Sequence, residues 1–221
     1  MANLTQLRML EDLDGFLLVD KPAGIAFSTV VKTVKRKFNL VKVGHGGSLE
    51  AMASGLFVIL VNDANKFVAD VMGADRAYEG RLRLGFTTDT GDVHGRPVPP
   101  PASVPDVSEF RGDIFQTEPR FCSVRKEGSA AYEVVDTGEH SQFLAHVYRL
   151  TLDGADFSLV ASKNLIVRAL ASDMGASVET LRRTRVGKFR VEDAVPFDKL
   201  LEMDIRDFPS VVTPLSEALA R

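Results

Sequence analysis

The sequence predicts a single α+β domain over residues 1–221, and three observations carry that reading. Short apolar runs bounded by Gly, Pro or Asp turns are interspersed with segments of helical period, so neither kind of element is confined to one end. No internal repeat or low-complexity stretch appears, and the five-proline segment Pro97–Pro105 has patterned sequence of unchanged composition on both sides, which makes it a loop rather than a linker. With 221 residues, 45% of them hydrophobic, the chain can bury a substantial core.

Taken in order, Phe16–Asp20 (FLLVD) is a short buried strand closed by the turn residues Pro22-Ala23-Gly24. Ser28–Phe38 places Val30, Val31, Val34 and Phe38 near helical spacing, with Ser28 or Thr29 as the expected N-cap. Gly44–Gly47 is a glycine-rich loop, Ser54–Leu60 an apolar run, and Ala64–Met72 a helix. Tyr78–Leu84 alternates as a half-buried strand does, and Thr87–Gly95 is a polar, turn-rich loop. Ala145–Thr151 and Phe157–Ala161 are strand-like. Val167–Gly175 and Val178–Arg183 read as helical, and Ser216–Arg221 as a last helical turn.

Composition excludes several classes. One cysteine, Cys122, leaves no intrachain disulfide and no Cys-rich zinc site, and fits a reducing cytoplasm. The four histidines lack metal-ligand spacing, so no metal is expected. Met1–Gly15 mixes apolar residues with Arg8, Glu11, Asp12 and Asp14 and does not read as a secretory signal. The longest apolar run, Leu56–Val61, is far below the roughly 18 residues of a membrane helix.

Net charge is −3, which by itself does not suggest a polyanion partner, but the charges are segregated. Lys21–Leu49 holds six basic residues and no acidic one, and Leu181–Arg190 holds five more, again without an acid, which leaves about −14 on the remainder. Two acid-free basic stretches on an acidic body can be solvated faces or a phosphate-binding surface.

Some short matches carry nothing. Asp89-Thr90-Gly91 has the letters of an aspartic protease turn, but polar Thr87, Thr88 and Asp92 surround it where apolar strand residues are needed. Ser123–Lys126 fits S-x-x-K without its companion motifs, Gly44–Gly47 is not a P-loop, and Cys122 beside Arg120 and Arg125 has no motif-level His partner.

A longer constellation does carry meaning. Val19-Asp20-Lys21-Pro22-Ala23-Gly24 is followed by Gly44-His45-Gly46-Gly47-Ser48-Leu49-Glu50-Ala51-Met52-Ala53-Ser54-Gly55. Then come Tyr78, Leu84-Gly85 and Thr88-Asp89-Thr90-Gly91-Asp92, the segment Phe110–Phe121 with Gly112, Gln116 and Pro119, Ser162-Lys163, Arg168, Asp173, Gly175, and Leu181-Arg182-Arg183. In order and spacing, over about residues 15–190, this resembles the catalytic domain of the TruB-type tRNA pseudouridine synthases, the family that includes dyskerin.

The resemblance implies a mixed, largely antiparallel central sheet flanked by helices and loops, RNA as partner with the tRNA T-arm as target, and neither metal nor organic cofactor. Such an enzyme breaks the N-glycosidic bond of a uridine, turns the base and rejoins it through carbon, using a carboxylate nucleophile. The uridine must first leave its stack. By resemblance Glu50 is the nucleophile, Tyr78 the aromatic beneath the base and Arg168 the partner of the carboxylate, while His45 displaces the base. Lys21, Gly46, Gly47, Asp89, Lys163, Arg182 and Arg183 join the RNA-binding set, with the glycines letting backbone approach the RNA. A cytoplasmic monomer is expected.

The departures define two readings. Glu50 stands where the family has Asp, Ala51 where it has Pro, Arg76 where it has Lys, and Ile166 where it has a tyrosine. Cys122 and Arg125 stand at the family's Ser and Lys positions. An added methylene at residue 50 matters because about 1 Å of misplacement can cost on the order of a hundredfold in rate. The chain is therefore a pseudouridine synthase with a reset nucleophile, or an inactive RNA-binding or RNA-chaperone homologue on the same fold. A third reading is an assembly partner in a larger complex. The small C-terminal RNA-binding domain of many relatives is not expected within 221 residues.

Overall fold

Most of the sequence patterns become elements with somewhat shifted ends. The computed structural model describes residues 13–103, 106–117 and 142–219, with the backbone of the short strand pieces 121–122, 125–126, 129–130 and 133–134. The S-x-x-K match, Pro119 and the side chains of Arg120, Cys122 and Arg125 lie outside the described residues.

In chain order the first elements are β1 (Gly15–Lys21), α1 (Phe27–Lys37), β2 (Val43–His45), β3 (Ser54–Val61), a 3₁₀ stretch over Asn62–Phe67, and α2 (Val68–Gly73). Then follow β4 (Arg76–Leu84), β5 (Thr87–Thr88), β6 (Pro97–Val98), β7 (Gly112–Thr117), β8 (Gln142–Asp153), β9 (Asp156–Ala161) and α3 (Val167–Asp173). The chain closes with β10 (Ala176–Val186), β11 (Phe189–Arg190), β12 (Val195–Pro196), α4 (Phe197–Glu202), β13 (Val212–Pro214) and α5 (Leu215–Leu219). Antiparallel pairing dominates, while β1–β12 and β3–β10 are parallel. The expected mixed, largely antiparallel α+β architecture is what the chain forms.

The chain divides into two compact units, one running to Ala74 and resuming at Arg182, the other covering Asp75–Leu181. In the first unit β1 and β3 are antiparallel in unbroken register from Gly15 opposite Val61 to Lys21 opposite Gly55. The far edge of β1 takes β12 and β13. Both strands are buried on both faces, which is why each reads as a continuous apolar run instead of an alternation. One core cluster joins Phe16, Leu18, Leu56, Val58 and Leu60 to Val71 and Val186. Helix α1 turns Val30 and Val34 inward. Just beyond it, Phe38 stacks on Phe208 with ring centroids 4.0 Å apart.

In the second unit β9 lies between β8 and β4, β7 flanks β8, and residues Ala176–Leu181 of β10 lie beside β4. Tyr78 is opposite Leu159 on β9. A small β5–β6 pairing, Thr87 opposite Val98, closes the loop that carries Asp89 and Asp92.

Four expectations are corrected. Val178–Arg183 is strand, not helix: Val178 and Leu181 are spaced i, i+3 as on a helix, but β-branched Val178, Thr180, Thr184 and Val186 suit the strand. Neither Ser28 nor Thr29 caps α1; its N-cap is Ala26, with no side-chain hydrogen bond, and Phe27 packs on His45 and Phe57 instead. Ala64–Met72 begins as 3₁₀ and becomes α-helix only at Val68. Gly44 and His45 belong to a strand rather than to the glycine loop. Among the described residues no helix is long and apolar enough to cross a membrane.

Phe38 is fully buried, so Phe38→Ala removes a stacked pair and leaves a void. The expected loss is about 3–5 kcal/mol of unfolding free energy, read from urea denaturation midpoints.

Candidate active site

Residue 50 sits on a short loop between β2 and β3, and two buried cations hold that loop by its carbonyls. Leu49 and Ala53 are buried on either side, Glu50 is half-buried, and the Ala53 N–H donates to the Glu50 carbonyl at 3.1 Å. The Lys21 ammonium donates to the carbonyls of Pro22 and Ile25, each at 2.8 Å, and of Ala51 at 3.4 Å. Gly24 N–H reaches the same Ala51 carbonyl at 2.7 Å. From β10 the Arg183 guanidinium donates through Nη1 to the Ser48 carbonyl at 2.7 Å and through Nε to that of Leu56 at 2.9 Å. The backbone at 48, 51 and 56 is thus tied down, with the half-buried residue 50 between these anchors.

This arrangement corrects two of the expected RNA contacts. Lys21 and Arg183 are 0% and 1% exposed, so neither presents its charge to a phosphate; both act on backbone carbonyls inside the fold. Burying a cation is tolerable when most of its donors are met, and here carbonyl oxygens take the Lys21 ammonium and the Nε and Nη1 of Arg183, while among the described residues Arg183 Nη2 stays buried without a hydrogen bond. Burial first, and the Arg183 charge second, bring the Lys21 ammonium down to about 8. Arg182 is also engaged: Nη1 and Nη2 make a bidentate pair with Asp20 at 3.0 and 2.8 Å. Asp20 was legible as part of a motif, but its role as partner of Arg182 was not.

His45 lies opposite Ile59, half-buried, with its ring 5.1 Å from Phe27 and 5.9 Å from Phe57. The Gly47 N–H donates to its Nδ1 at 3.3 Å. The two glycines after it are buried, and their reason is internal. A Cβ on Gly46 would come within 2.3 Å of Val71 Cγ1, and Gly47 adopts φ +116°, a left-handed conformation that L side chains avoid. Glycine serves packing and turn geometry at these positions, which corrects the expectation of backbone laid open to RNA.

In the second unit Tyr78 is 8% exposed on β4. Arg168, on α3, is buried and its Nη1 donates to the Thr90 carbonyl. That carbonyl belongs to a loop held from within: Thr88 Oγ1 donates to the Asp92 carbonyl at 2.6 Å, and Asp92 Oδ1 accepts from the Thr90 hydroxyl at 3.1 Å and the His94 N–H at 2.9 Å. Asp89 Oδ1 accepts the Arg96 N–H at 2.8 Å, which gives it a loop-closing role. Ahead of α3, the buried Gln116 amide accepts from Ile166 N–H at 2.9 Å and donates to its carbonyl at 3.1 Å, fixing the backbone at residue 166. Gln116 was missed as a site residue; a polar residue inside an otherwise patterned strand is the signal that could have found it. Lys163 is exposed. Among the described residues no group of His, Cys, Asp and Glu could hold a metal ion.

The sequence of this strand-rich α+β chain is similar to one class of protein. A family model described as "TruB family pseudouridylate synthase (N terminal domain)" matches residues 35–153. The chain belongs to this family. It is 36% identical over 211 residues to the tRNA pseudouridine synthase B of Azoarcus sp. (strain BH72), covering 85% of this chain and 70% of that protein. With the tRNA pseudouridine synthase B of Opitutus terrae it is 31% identical over 230 residues, covering 94% of this chain and 95% of that one. Its fold is similar to a chain in the crystal structure of a Cbf5-Nop10-Gar1 complex, with TM-score 0.65 and 23% identity. That alignment covers 96% of this chain and 63% of the other.

The lowered Lys21 value makes a pH-dependent prediction. Folded protein sheds this proton near pH 8, whereas the unfolded chain keeps it to about 10.4, so the unfolded state binds more protons between these values and stability rises with pH across the window. Lys21→Met is expected to flatten that rise, measured as urea unfolding free energies at several pH values from 7.5 to 10.

Proposed function

We propose that this chain isomerises uridine to pseudouridine in the T-arm of tRNA, with the Glu50 carboxylate as nucleophile. The observation that carries the reading is the carbonyl-anchored loop, which holds a half-buried glutamate at the position that the resemblance marks as catalytic. In the reaction the bond from the ribose C1′ to N1 breaks, a bond from C1′ to C5 forms, the C5 hydrogen leaves and N1 regains a proton. The product is an isomer of the substrate, and no redox partner enters. Glu50 attacks the nucleoside and leaves again after the base has turned. Tyr78 supports the base, Arg168 keeps the carboxylate ionised and aimed, and His45 displaces the uridine from its stack. Lys163 and Asp89 contribute to holding the RNA. The chain works as a cytoplasmic monomer without metal or organic cofactor.

Family membership and the relatives named tRNA pseudouridine synthase B support this reading. One observation favours a second: residue 166 has no phenol, and its backbone is fixed by Gln116, so an inactive RNA-binding homologue on the same fold is the alternative.

The test is pseudouridine formation on a T-arm stem-loop. Wild type is expected to turn over, Glu50→Ala to lose at least about a thousandfold in rate, and Glu50→Asp to retain or exceed wild-type activity, given the sensitivity of attack geometry to about 1 Å. RNA binding without product in both wild type and Glu50→Asp would establish the inactive reading.

A further inference from the structure

Of the two acid-free basic stretches, the structure ties up much of the later one. Arg182 is paired with Asp20, Arg183 is buried against carbonyls, and Arg185 Nη1 donates to the Gly187 carbonyl at 2.8 Å. The earlier stretch contains α1, whose inner face is apolar and whose outer face carries Lys32, Lys35 and Arg36, all exposed. Among the described residues no ion pair engages these three. Their i, i+3, i+4 spacing puts them on one patch of the helix, with neighbouring Cβ atoms about 5–6 Å apart.

The position of that patch gives it a direction. Phe27, the first residue of α1, packs on His45. At about 1.5 Å per residue, Lys32 lies about 8 Å and Arg36 about 14 Å further along the helix axis. The cations therefore lead away from the imidazole in a short row. A row of unpaired cations on an otherwise acidic chain fits a polyanion whose charges are themselves spaced in a row.

We infer that the outer face of α1, through Lys32, Lys35 and Arg36, is a track for the phosphates of the RNA strand flanking the target uridine. This rests on the RNA-modifying reading above. Contacts of this kind set register and affinity and leave sequence choice to other groups.

The experiment measures binding of a T-arm stem-loop with its flanking stem across a salt series, for wild type and for Lys32→Ala/Lys35→Ala/Arg36→Ala. Each lost phosphate contact lowers the slope of log K against log salt by about 0.7–0.9, so the triple variant is expected to lose about 2.1–2.7 in slope. A Lys32→Arg/Lys35→Arg variant keeps its charges and is expected to keep the wild-type slope. Arg206→Ala, whose charge Asp204 already neutralises, is expected to leave it unchanged. A triple variant with the wild-type slope overturns the track even where wild type makes pseudouridine; absence of pseudouridine from wild type instead overturns the underlying function. Loss of binding to anionic phospholipid vesicles, with RNA binding intact, would reassign the face to a lipid surface and overturn the proposal.

Discussion

Two buried cations satisfying backbone carbonyls are the constraint around which the first unit is organised. Lys21, at the end of β1, and Arg183, on β10, have no carboxylate among the partners described above; they bond to carbonyls of the chain segment running from Ser48 to Leu56 and of the Pro22–Ile25 turn. A surface loop has few backbone hydrogen bonds of its own and would otherwise be soft. Charge-assisted bonds in a buried setting supply the missing rigidity, since a buried donor that loses its acceptor costs far more than an exposed one. The loop's geometry is thereby made a property of the sheet.

The same economy of internal bonds recurs in the second unit with different chemistry. There the turn-rich loop is held by short-range hydroxyl and carboxylate contacts among Thr88, Thr90 and Asp92, and by Asp89 against the Arg96 N–H. Arg168 is joined to that loop through the Thr90 carbonyl, and Gln116 secures the residue just before its helix. In both units the residues of the family motifs are largely scaffold for a few partly open side chains. A fixed constellation is what attack on a nucleoside demands, because misaligned reacting atoms lose rate steeply.

Much of this was legible in the sequence, and the limits have a physical pattern. Apolar runs identified β1 and β3 because burial on both faces removes alternation, and motif spacing located Glu50, His45 and Arg168. What could not be read was which charges point inward. Counting Lys21 and Arg183 as surface cations ignores acceptors 30 and 135 residues away, which only the folded sheet brings near. The strand Ala176–Val186 was misread for a related reason. Its arginines face different surroundings along one strand: Arg182 meets Asp20, Arg183 enters the interior and Arg185 turns to Gly187. Short strands such as Val195–Pro196 and Val212–Pro214 exist only as edges laid on β1 and have no pattern of their own.

The bare first turn of α1 has a consequence for how the site responds. With no side chain capping Ala26, the helix start relies on Phe27 lying against His45 and Phe57. A move of the imidazole and fraying of that turn therefore share one free energy. Linkage of this kind is reciprocal: whatever firms the helix from outside also biases the ring, and whatever displaces the ring loosens the helix by the same amount. His45 and α1 thus behave as a coupled pair, in which the firmness of the helix start and the posture of the imidazole are set together.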